Sequence, residues 1–310
     1  LAASAGALLL LLSQLALAAP GRPAQAPIFA AASTQPNILI VIDDSGSMKR
    51  DAGQGKTRMK TAQDAAILML ESLTNVRVGV GSFGGCSGCH SGELDHEIAD
   101  LDKSRQSIYK AIRSLVPVGG TPLISTLQQM GRYFIGLGGS TNPGNSDSAS
   151  CTKNGRYSGP LTLRPDSNPQ KEDVAQVLPR SPKKKGTGES PICHFCQKNF
   201  LILLTDGWGY GSASWPLRKH YAGYAHDLVR VAAGLYDIDL RPDIDDFDGK
   251  EVKNNVVTYT IGFHTSQALL KLTAEKGGGD YFEADNEEKL KEAFAKIGED
   301  ITARAVGSAA

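Results

Sequence analysis

The sequence predicts an α/β fold, a doubly wound, mostly parallel sheet with one antiparallel edge strand and helices on both faces. Short, unbroken apolar runs, such as Asn37 to Ile42 and Phe200 to Thr205, are typical of strands that are buried on both faces. Longer segments lie between these runs, and their apolar residues recur at helical spacing. Strands that alternate with helices in this way favour a parallel sheet.

The first half of the domain is predicted to supply three strands and three helices. Val76, Val78 and Val80 alternate as a strand, and the segment 94–101 can pair back on it as an antiparallel partner. Pro122 stands at the start of the third helix, where proline is favoured. The predicted elements, in chain order, are strand 37–42, helix 56–73, strand 76–80, strand 94–101, helix 104–116 and helix 123–135.

The second half is predicted to complete the sheet after a long insertion. Residues 138–195 are dense in Gly, Ser, Pro and Lys and have no sustained apolar period, so we interpret them as an irregular insertion. The domain as a whole is expected to span 37–304. The elements after the insertion are predicted as strand 200–205, a helix around 217–236, strand 256–262, a short helix from 266, strand 280–284 and a last helix from 286.

Residues 1–18 are predicted to be a cleaved signal peptide. Leu8 to Leu12 form a leucine run inside an apolar stretch, and Ala16 to Ala18 offers small residues at the spacing that a signal peptidase accepts. The run is too short to span ~30 Å of hydrocarbon, and we expect no transmembrane segment later in the chain. Export is therefore predicted, with a linker at 19–36 and the start of a second linker at 305–310.

The charge balance argues against a nucleic-acid partner. The 33 basic residues match the 33 acidic ones, so no long-range field recruits a polyanion. We expect instead a protein partner that is held by local chemistry. No nucleophile and base are found together at predicted strand ends, and no glycine loop has phosphate spacing, so we expect no enzymatic activity.

Oxygen-bearing side chains lie at three predicted strand ends or helix starts, which is where open α/β sheets bind their ligands. In chain order these residues are Asp43, Ser45, Ser47, Thr121 and Asp206. Two carboxylates and three hydroxyls suit one hard divalent cation, Mg²⁺ in first place and Mn²⁺ or Ca²⁺ as alternatives. Hydroxyls coordinate without neutralising the ion, so a carboxylate from a partner can complete its shell.

The string Asp43-x-Ser45-x-Ser47, together with Thr121 and Asp206, resembles the metal-ion-dependent adhesion site of von Willebrand factor A domains. The resemblance covers about 36–304 and includes the order of the elements. It implies that Asp43 is buried and reaches the cation directly or through water, that the three hydroxyls coordinate it, and that Asp206 holds a coordinated water. It also implies a protein ligand that supplies an Asp or Glu carboxylate. The neighbouring acidic residue, Asp44, is assigned no role.

Three further segments resemble the amino-terminal half of the type IV pilus tip and assembly proteins of the PilC/PilY family. The segments are Cys196 to Gly207, Asp239 to Pro242 and Val257 to Phe263. That family joins an export signal and an A-type domain to a carboxy-terminal β-propeller. The resemblance implies a protein of the periplasm and outer membrane, the pilus tip or the cell surface, with minor pilins or a surface receptor as partners.

The five cysteines are predicted to form disulfides, since an exported chain reaches a compartment in which disulfides persist. The pairing we favour joins Cys86 to Cys89 and Cys151 to either Cys193 or Cys196, which leaves one thiol free. Zinc shared by both Cys-x-x-Cys pairs is opposed by the predicted topology, because it places the pairs at opposite ends of a strand, ~20 Å apart.

Two alternatives compete with a pilus adhesion or assembly domain. Cys86-Ser87-Gly88-Cys89-His90 matches the attachment string of c-type haem, so an exported haem or redox protein is the first. The predicted hairpin tip offers no helix in which to embed a haem, which counts against it. The second is a generic exported interaction domain of another envelope complex, with the same metal site and no role in pili.

Overall fold

The computed structural model describes residues 34–84, 92–136, 190–212, 218, 221–224, 226–242, 244–246 and 248–306. These residues form one sheet of six strands in the order β3-β2-β1-β4-β5-β6. Only β3 pairs antiparallel, with β2 at one edge, so the predicted fold class is confirmed. The strands are β1 Asn37–Ile42, β2 Arg77–Ser82, β3 Glu93–Asp100, β4 Asn199–Thr205, β5 Val256–Phe263 and β6 Gly278–Ala284.

Helices cover both faces of the sheet, and two apolar clusters fill the space beneath them. Ile38, Ile40 and Ile42 face one cluster, and the alternating Leu39 and Val41 face the other, which explains the unbroken apolar run of β1. A short 3₁₀ helix at Gly46–Lys49 follows β1. The α-helices that lie wholly within the described residues are α1 Arg58–Ser72, α2 Leu101–Ser114, α3 Leu123–Phe134, α4 Asp227–Asp237, α5 Ala268–Lys276 and α6 Glu287–Val306.

The register of the central strands determines where the loops after them meet. Ile42 at the end of β1 pairs with Ser82 of β2 on one side and with Leu204 of β4 on the other. The next residue, Asp43, donates its backbone N–H to the Leu204 carbonyl at 2.9 Å. The loops that follow β1 and β4 therefore begin side by side at the carboxyl edge of the sheet.

Two helices start three or more residues away from their predicted starts, because capping residues fix the first turn elsewhere. The helix predicted around 217–236 starts at Asp227 in α4, since His226 is extended and its ring accepts the Leu228 N–H. The helix predicted at 104–116 starts three residues earlier, at Leu101, because the Asp100 carboxylate caps it by accepting the Asp102 N–H at 3.0 Å.

The last residues of the predicted insertion are part of the folded domain. The Ser190 hydroxyl donates to the Phe134 carbonyl at the end of α3. Pro191 O accepts a hydrogen bond from Asn37 Nδ2 at 2.9 Å, and Ile192 is fully buried in the core. Residues 136 and 190 are thus close in space, at the amino edge of the sheet, where β1 begins.

Several predictions concern residues outside the described ranges. These are the signal peptide at 1–18, the linker up to residue 33, Cys86, Cys89 and Cys151, the insertion up to residue 189, and the end of the chain from 307. Among the described residues, no helix is both long and apolar enough to cross a membrane.

Candidate metal site

Three loops are joined to one another by backbone hydrogen bonds at the carboxyl edge of the sheet. The loop after β1 contacts the loop before α3, where the Gly46 N–H donates to the Gly119 carbonyl at 3.1 Å. The loop after β4 contacts the same segment, where the Tyr210 N–H donates to the Thr121 carbonyl at 2.9 Å. All five residues of the predicted metal site therefore lie in one set of interlocked loops.

Asp43 is completely buried, and its carboxylate is held on both oxygens. Oδ1 accepts the Ser45 N–H at 2.8 Å, and Oδ2 accepts the Thr205 hydroxyl at 2.6 Å and the Asp206 N–H at 3.4 Å. The pKa of Asp43 is raised to about 6. Burial is the main cause, the Asp206 charge adds to it, and hydrogen bonds from Ser45 and Thr205 offset part of the rise. A nearby cation would favour the ionised form of such a carboxyl.

The hydroxyls of the first loop connect the two carboxylates. Ser45 Oγ and Ser47 Oγ are 2.9 Å apart, and the Ser47 hydroxyl donates to Asp206 Oδ1 at 2.5 Å. The Thr121 hydroxyl faces the same space, since a Cβ at Gly207 would lie 3.9 Å from Thr121 Oγ1 and 4.0 Å from Ser47 Oγ. The structure thus brings together the five residues that the sequence singled out.

Arg58 is a member of this site that the sequence analysis missed. Its Nη1 lies 2.8 Å from Asp206 Oδ2, and the Asp206 side chain is fully buried in this ion pair. Arg58 is also the first residue of α1, and the first turn of that helix contains no acidic residue. A positively charged side chain at a helix N-terminus is disfavoured by the helix dipole, so the position of Arg58 depends on its ion pair with the Asp206 carboxylate.

Three more residues support the loops, and the sequence pattern did not indicate them. Thr205, the last residue of β4, holds the Asp43 carboxylate as described above. The Asp44 carboxylate accepts the Phe83 N–H at 2.9 Å, so it fastens the end of β2. Gln267, just before α5, donates from Nε2 to the Gly207 carbonyl at 3.0 Å. Each is a polar side chain that stabilises loop backbone or a neighbouring carboxylate.

Another carboxyl with a raised pKa, that of Asp95, lies on β3, outside this site. The pKa of Asp95 is raised to about 7. Burial of the group is the main cause, the charges of Glu93 and Asp44 add to it, and a hydrogen bond from Ser82 offsets part of the rise. Among the described residues, Asp95 Oδ2 has no hydrogen-bond partner. The ionised form of Asp95 is therefore poorly stabilised in the folded protein.

The Asp95→Asn variant is expected to flatten the pH dependence of stability. Because the folded pKa lies above the unfolded value near 3.8, stabilisation by this group is complete below pH ~4 and is lost as pH rises through about 7. Over the whole range the loss amounts to up to ~4 kcal/mol in the free energy of unfolding at 1.36 kcal/mol per pKa unit, and roughly 2.5 kcal/mol of it falls between pH 5 and pH 8. Urea unfolding at pH 5 and pH 8, in chelator, measures it. An equal pH slope in both proteins would contradict the assignment.

The described cysteines lie at the opposite edge of the sheet from the candidate metal site. Cys193 is buried, and its sulfur is 3.6 Å from Arg77 Nη1 at the start of β2. Cys196 is a free thiol, 3.3 Å from the Thr34 hydroxyl. Of the two pairings considered for Cys151, the one with Cys196 is therefore not found here, and the one with Cys193 stays a prediction, as does the Cys86–Cys89 bridge.

Residues 38–142 match the family model of the von Willebrand factor type A domain. The matched segment extends from β1 to beyond α3, so it contains four of the five candidate ligands, Asp43, Ser45, Ser47 and Thr121. No curated protein matches the chain.

Several solved structures are similar to this chain at low identity. A von Willebrand factor type A protein from Catenulispora acidiphila is 17% identical, with a TM-score of 0.47, over 86% of this chain and 42% of that one. The PilB minor pilin from Streptococcus sanguinis is 16% identical, with a TM-score of 0.44, over 86% of this chain and 61% of that one. BatB from Bacteroides thetaiotaomicron is 13% identical, with a TM-score of 0.46, over 87% of this chain and 98% of that one. This chain thus spans less than two thirds of the length of the Catenulispora acidiphila protein and of the PilB minor pilin.

Proposed function

We propose that this chain is an A-type domain that binds one divalent cation and uses it to hold a protein partner, without enzymatic activity. The observation that carries the proposal is the convergence of two buried carboxylates and three hydroxyls from three separate loops. The match of residues 38–142 to the type A model supports it independently.

The donor set fits a hard cation. All five side chains offer oxygen, and no sulfur or imidazole takes part, which favours Mg²⁺ or Mn²⁺ over softer metals. Asp43, Ser45, Ser47, Thr121 and Asp206 would hold the ion. Within the described part of the chain, no group of three or more His, Cys, Asp or Glu side chains converges, so the hydroxyls are essential to the fit. When bound, the cation supplies a Lewis-acidic position for an outside oxygen ligand.

The charge of the site favours an anionic ligand. The two ionised carboxylates of Asp43 and Asp206, together with the guanidinium of Arg58, leave one negative charge. A divalent cation changes this to one positive charge. A partner carboxylate, from Asp or Glu, would then neutralise the site, and a buried unpaired charge is costly. The partner is therefore proposed to be a protein with an accessible acidic residue.

The cellular role proposed for the domain is that of an exported type IV pilus tip or assembly factor. It rests on the segments Cys196 to Gly207, Asp239 to Pro242 and Val257 to Phe263, which resemble the PilC/PilY family. Minor pilins or a surface receptor would be the partners. The generic envelope interaction domain remains the second candidate, since the same cation site would serve it.

The Thr121→Ala variant is expected to bind Mg²⁺ about tenfold more weakly and to keep its fold. Thr121 lies on a loop that supplies no other candidate ligand, so its loss removes one oxygen without disturbing the Asp43 network. Calorimetric titration of the chelator-treated domain with MgCl₂ measures the change. Ser125→Ala is the matched control, because that hydroxyl lies one turn into α3 and donates to the Pro122 carbonyl. Equal affinities for all three proteins would contradict the role of Thr121.

The same variant tests the cellular role. A deletion strain complemented with Thr121→Ala is expected to show reduced attachment compared with the wild-type gene, and EDTA should abolish attachment in both. Normal piliation and attachment in the deletion strain itself would remove the pilus role and leave the generic interaction domain.

A further inference from the structure

Exposed large apolar side chains are concentrated around the candidate metal site. Among the described residues there are six such side chains, and four of them lie in the two loops that hold Thr121 and Asp206. These four are Val116, Val118, Trp208 and Tyr210, with exposed fractions of 62%, 37%, 74% and 47%. Clustered apolar exposure of this kind marks interaction surfaces on soluble domains. The other two, Leu68 and Val306, lie on α1 and at the end of α6.

The backbone that carries the two aromatic residues is firmly packed. A Cβ at Gly209 would lie 2.1 Å from Leu123 Cβ, so this loop presses directly against the start of α3. The Tyr210 ring lies over Gly120, since a Cβ there would be 2.6 Å from the Tyr210 hydroxyl. Trp208 directly precedes Gly209 and Tyr210, and its side chain is three quarters exposed. Its exposure is therefore a property of an ordered loop.

The backbone at Val118 is held in a similar way. The Val118 N–H donates to the Asp44 carbonyl at 2.7 Å, which fastens the loop before α3 to the loop after β1. Between residues 116 and 121, and between 207 and 212, the sequence contains no charged residue. An apolar, uncharged border thus adjoins a site whose bound cation would give it one net positive charge.

We propose that Val116, Val118, Trp208 and Tyr210 form an apolar rim that docks a partner segment whose metal-binding Asp or Glu is flanked by apolar side chains. The inference rests on the proposed function and specifies the partner it would take. Charge complementarity with the cation selects the acidic residue, and the uncharged rim selects its neighbours, because a charged neighbour would lose water there without gaining an opposite charge. Buried Trp and Tyr side chains dominate the affinity of many interfaces.

The test uses a displayed library of short peptides with Asp fixed at the centre and random flanking residues, selected on the full chain in Mg²⁺. A library with Asn at the centre serves as its counterpart. We expect recovery of the Asp library to exceed that of the Asn library, to be lost in EDTA, and to be enriched in Leu, Ile, Phe and similar residues at the flanks. Selection on Trp208→Ala should lose this enrichment.

Affinity is then measured with one selected peptide that contains no tryptophan. In a Trp215→Phe background Trp208 is the only tryptophan of the chain, and its emission should shift to shorter wavelength when the peptide covers it. Trp208→Ala is expected to lower the affinity for the peptide by about tenfold or more and to leave the Mg²⁺ affinity unchanged. Leu68→Ala, at an exposed apolar site on α1, should change neither quantity.

The outcomes separate this inference from the function on which it rests. Unbiased flanks with a clear Asp preference, or full peptide affinity in Trp208→Ala, would overturn the apolar rim and leave cation-dependent binding intact. Equal recovery of the Asp and Asn libraries would overturn the cation-dependent function and the rim with it.

Discussion

The Asp43→Asn variant is expected to lose at least about 100-fold in Mg²⁺ affinity and to remain folded. Replacing partners of metal ligands typically costs 10–100-fold, and Asp43 is itself a proposed ligand and one of only two carboxylates in the site. Asparagine keeps the shape of the side chain, so its Oδ1 can still accept the Ser45 N–H and the Thr205 hydroxyl can turn to accept from Nδ2. Only the longer 3.4 Å hydrogen bond from the Asp206 N–H is lost. The loss should therefore reflect the missing charge.

Calorimetric titration with MgCl₂, together with circular dichroism and urea unfolding, measures both parts of this prediction. Asp44→Asn is a closely matched control, since Asp44 is the adjacent buried carboxyl and binds the Phe83 N–H outside the site. Its Mg²⁺ affinity should equal that of the wild type. Comparable loss in both variants would indicate a general distortion of the loop, and no loss in either would remove the metal site.

The Arg58→Gln variant is expected to bind Mg²⁺ about tenfold more tightly or better. Its guanidinium holds Asp206 Oδ2 at 2.8 Å, so it competes with a cation for that carboxylate. A unit positive charge repels a dication ~8 Å away by ~4 kcal/mol at an effective dielectric constant of 20. Solvent reduces this repulsion, because the Arg58 side chain is 14% exposed. A tenfold gain in affinity corresponds to about 1.4 kcal/mol, which is a modest share of that repulsion.

The same substitution should destabilise the domain in chelator and make it more dependent on Mg²⁺. The Asp206 side chain is fully buried, and without Arg58 its charge is compensated only by the ion. Thermal unfolding with EDTA and with saturating MgCl₂ gives the two stabilities. Arg50→Gln, at an exposed position eight residues earlier, is the control for a general change of charge. A fall in Mg²⁺ affinity would instead assign Arg58 the role of positioning Asp206 for the ion.

The sheet could be predicted closely because its strands are buried on both faces. Asn37–Ile42 was predicted with both ends correct, because a segment whose residues after the first are all apolar leaves little choice of boundary. The helix before β5 was predicted too long, because the periodic pattern from 217 onward continues past His226, where a side-chain cap interrupts it. Caps depend on single side chains and contribute little to apolar periodicity.

The site itself divides into a part that is local in sequence and a part that is not. Asp43, Ser45 and Ser47 lie within five residues. Strand order places Asp206 beside them, and the start of α3 marks Thr121. Whether they bind a cation stays a proposal. Arg58 could not be placed in the same way, because its carboxylate partner is 148 residues away. The one sequence signal for it is a basic residue at the start of a helix, where the helix dipole disfavours a positive charge.

The close approach of Ser190 and the end of α3 has a consequence for how such domains can diverge. Residues 136 and 190, which border the segment 137–189, lie close together at the amino end of the strands, far from the cation loops. Doubling the length of a segment closed in this way costs only ~0.6 kcal/mol. Natural selection can therefore lengthen, shorten or replace that segment without moving a single candidate ligand, so the two ends of the sheet are free to evolve at different rates.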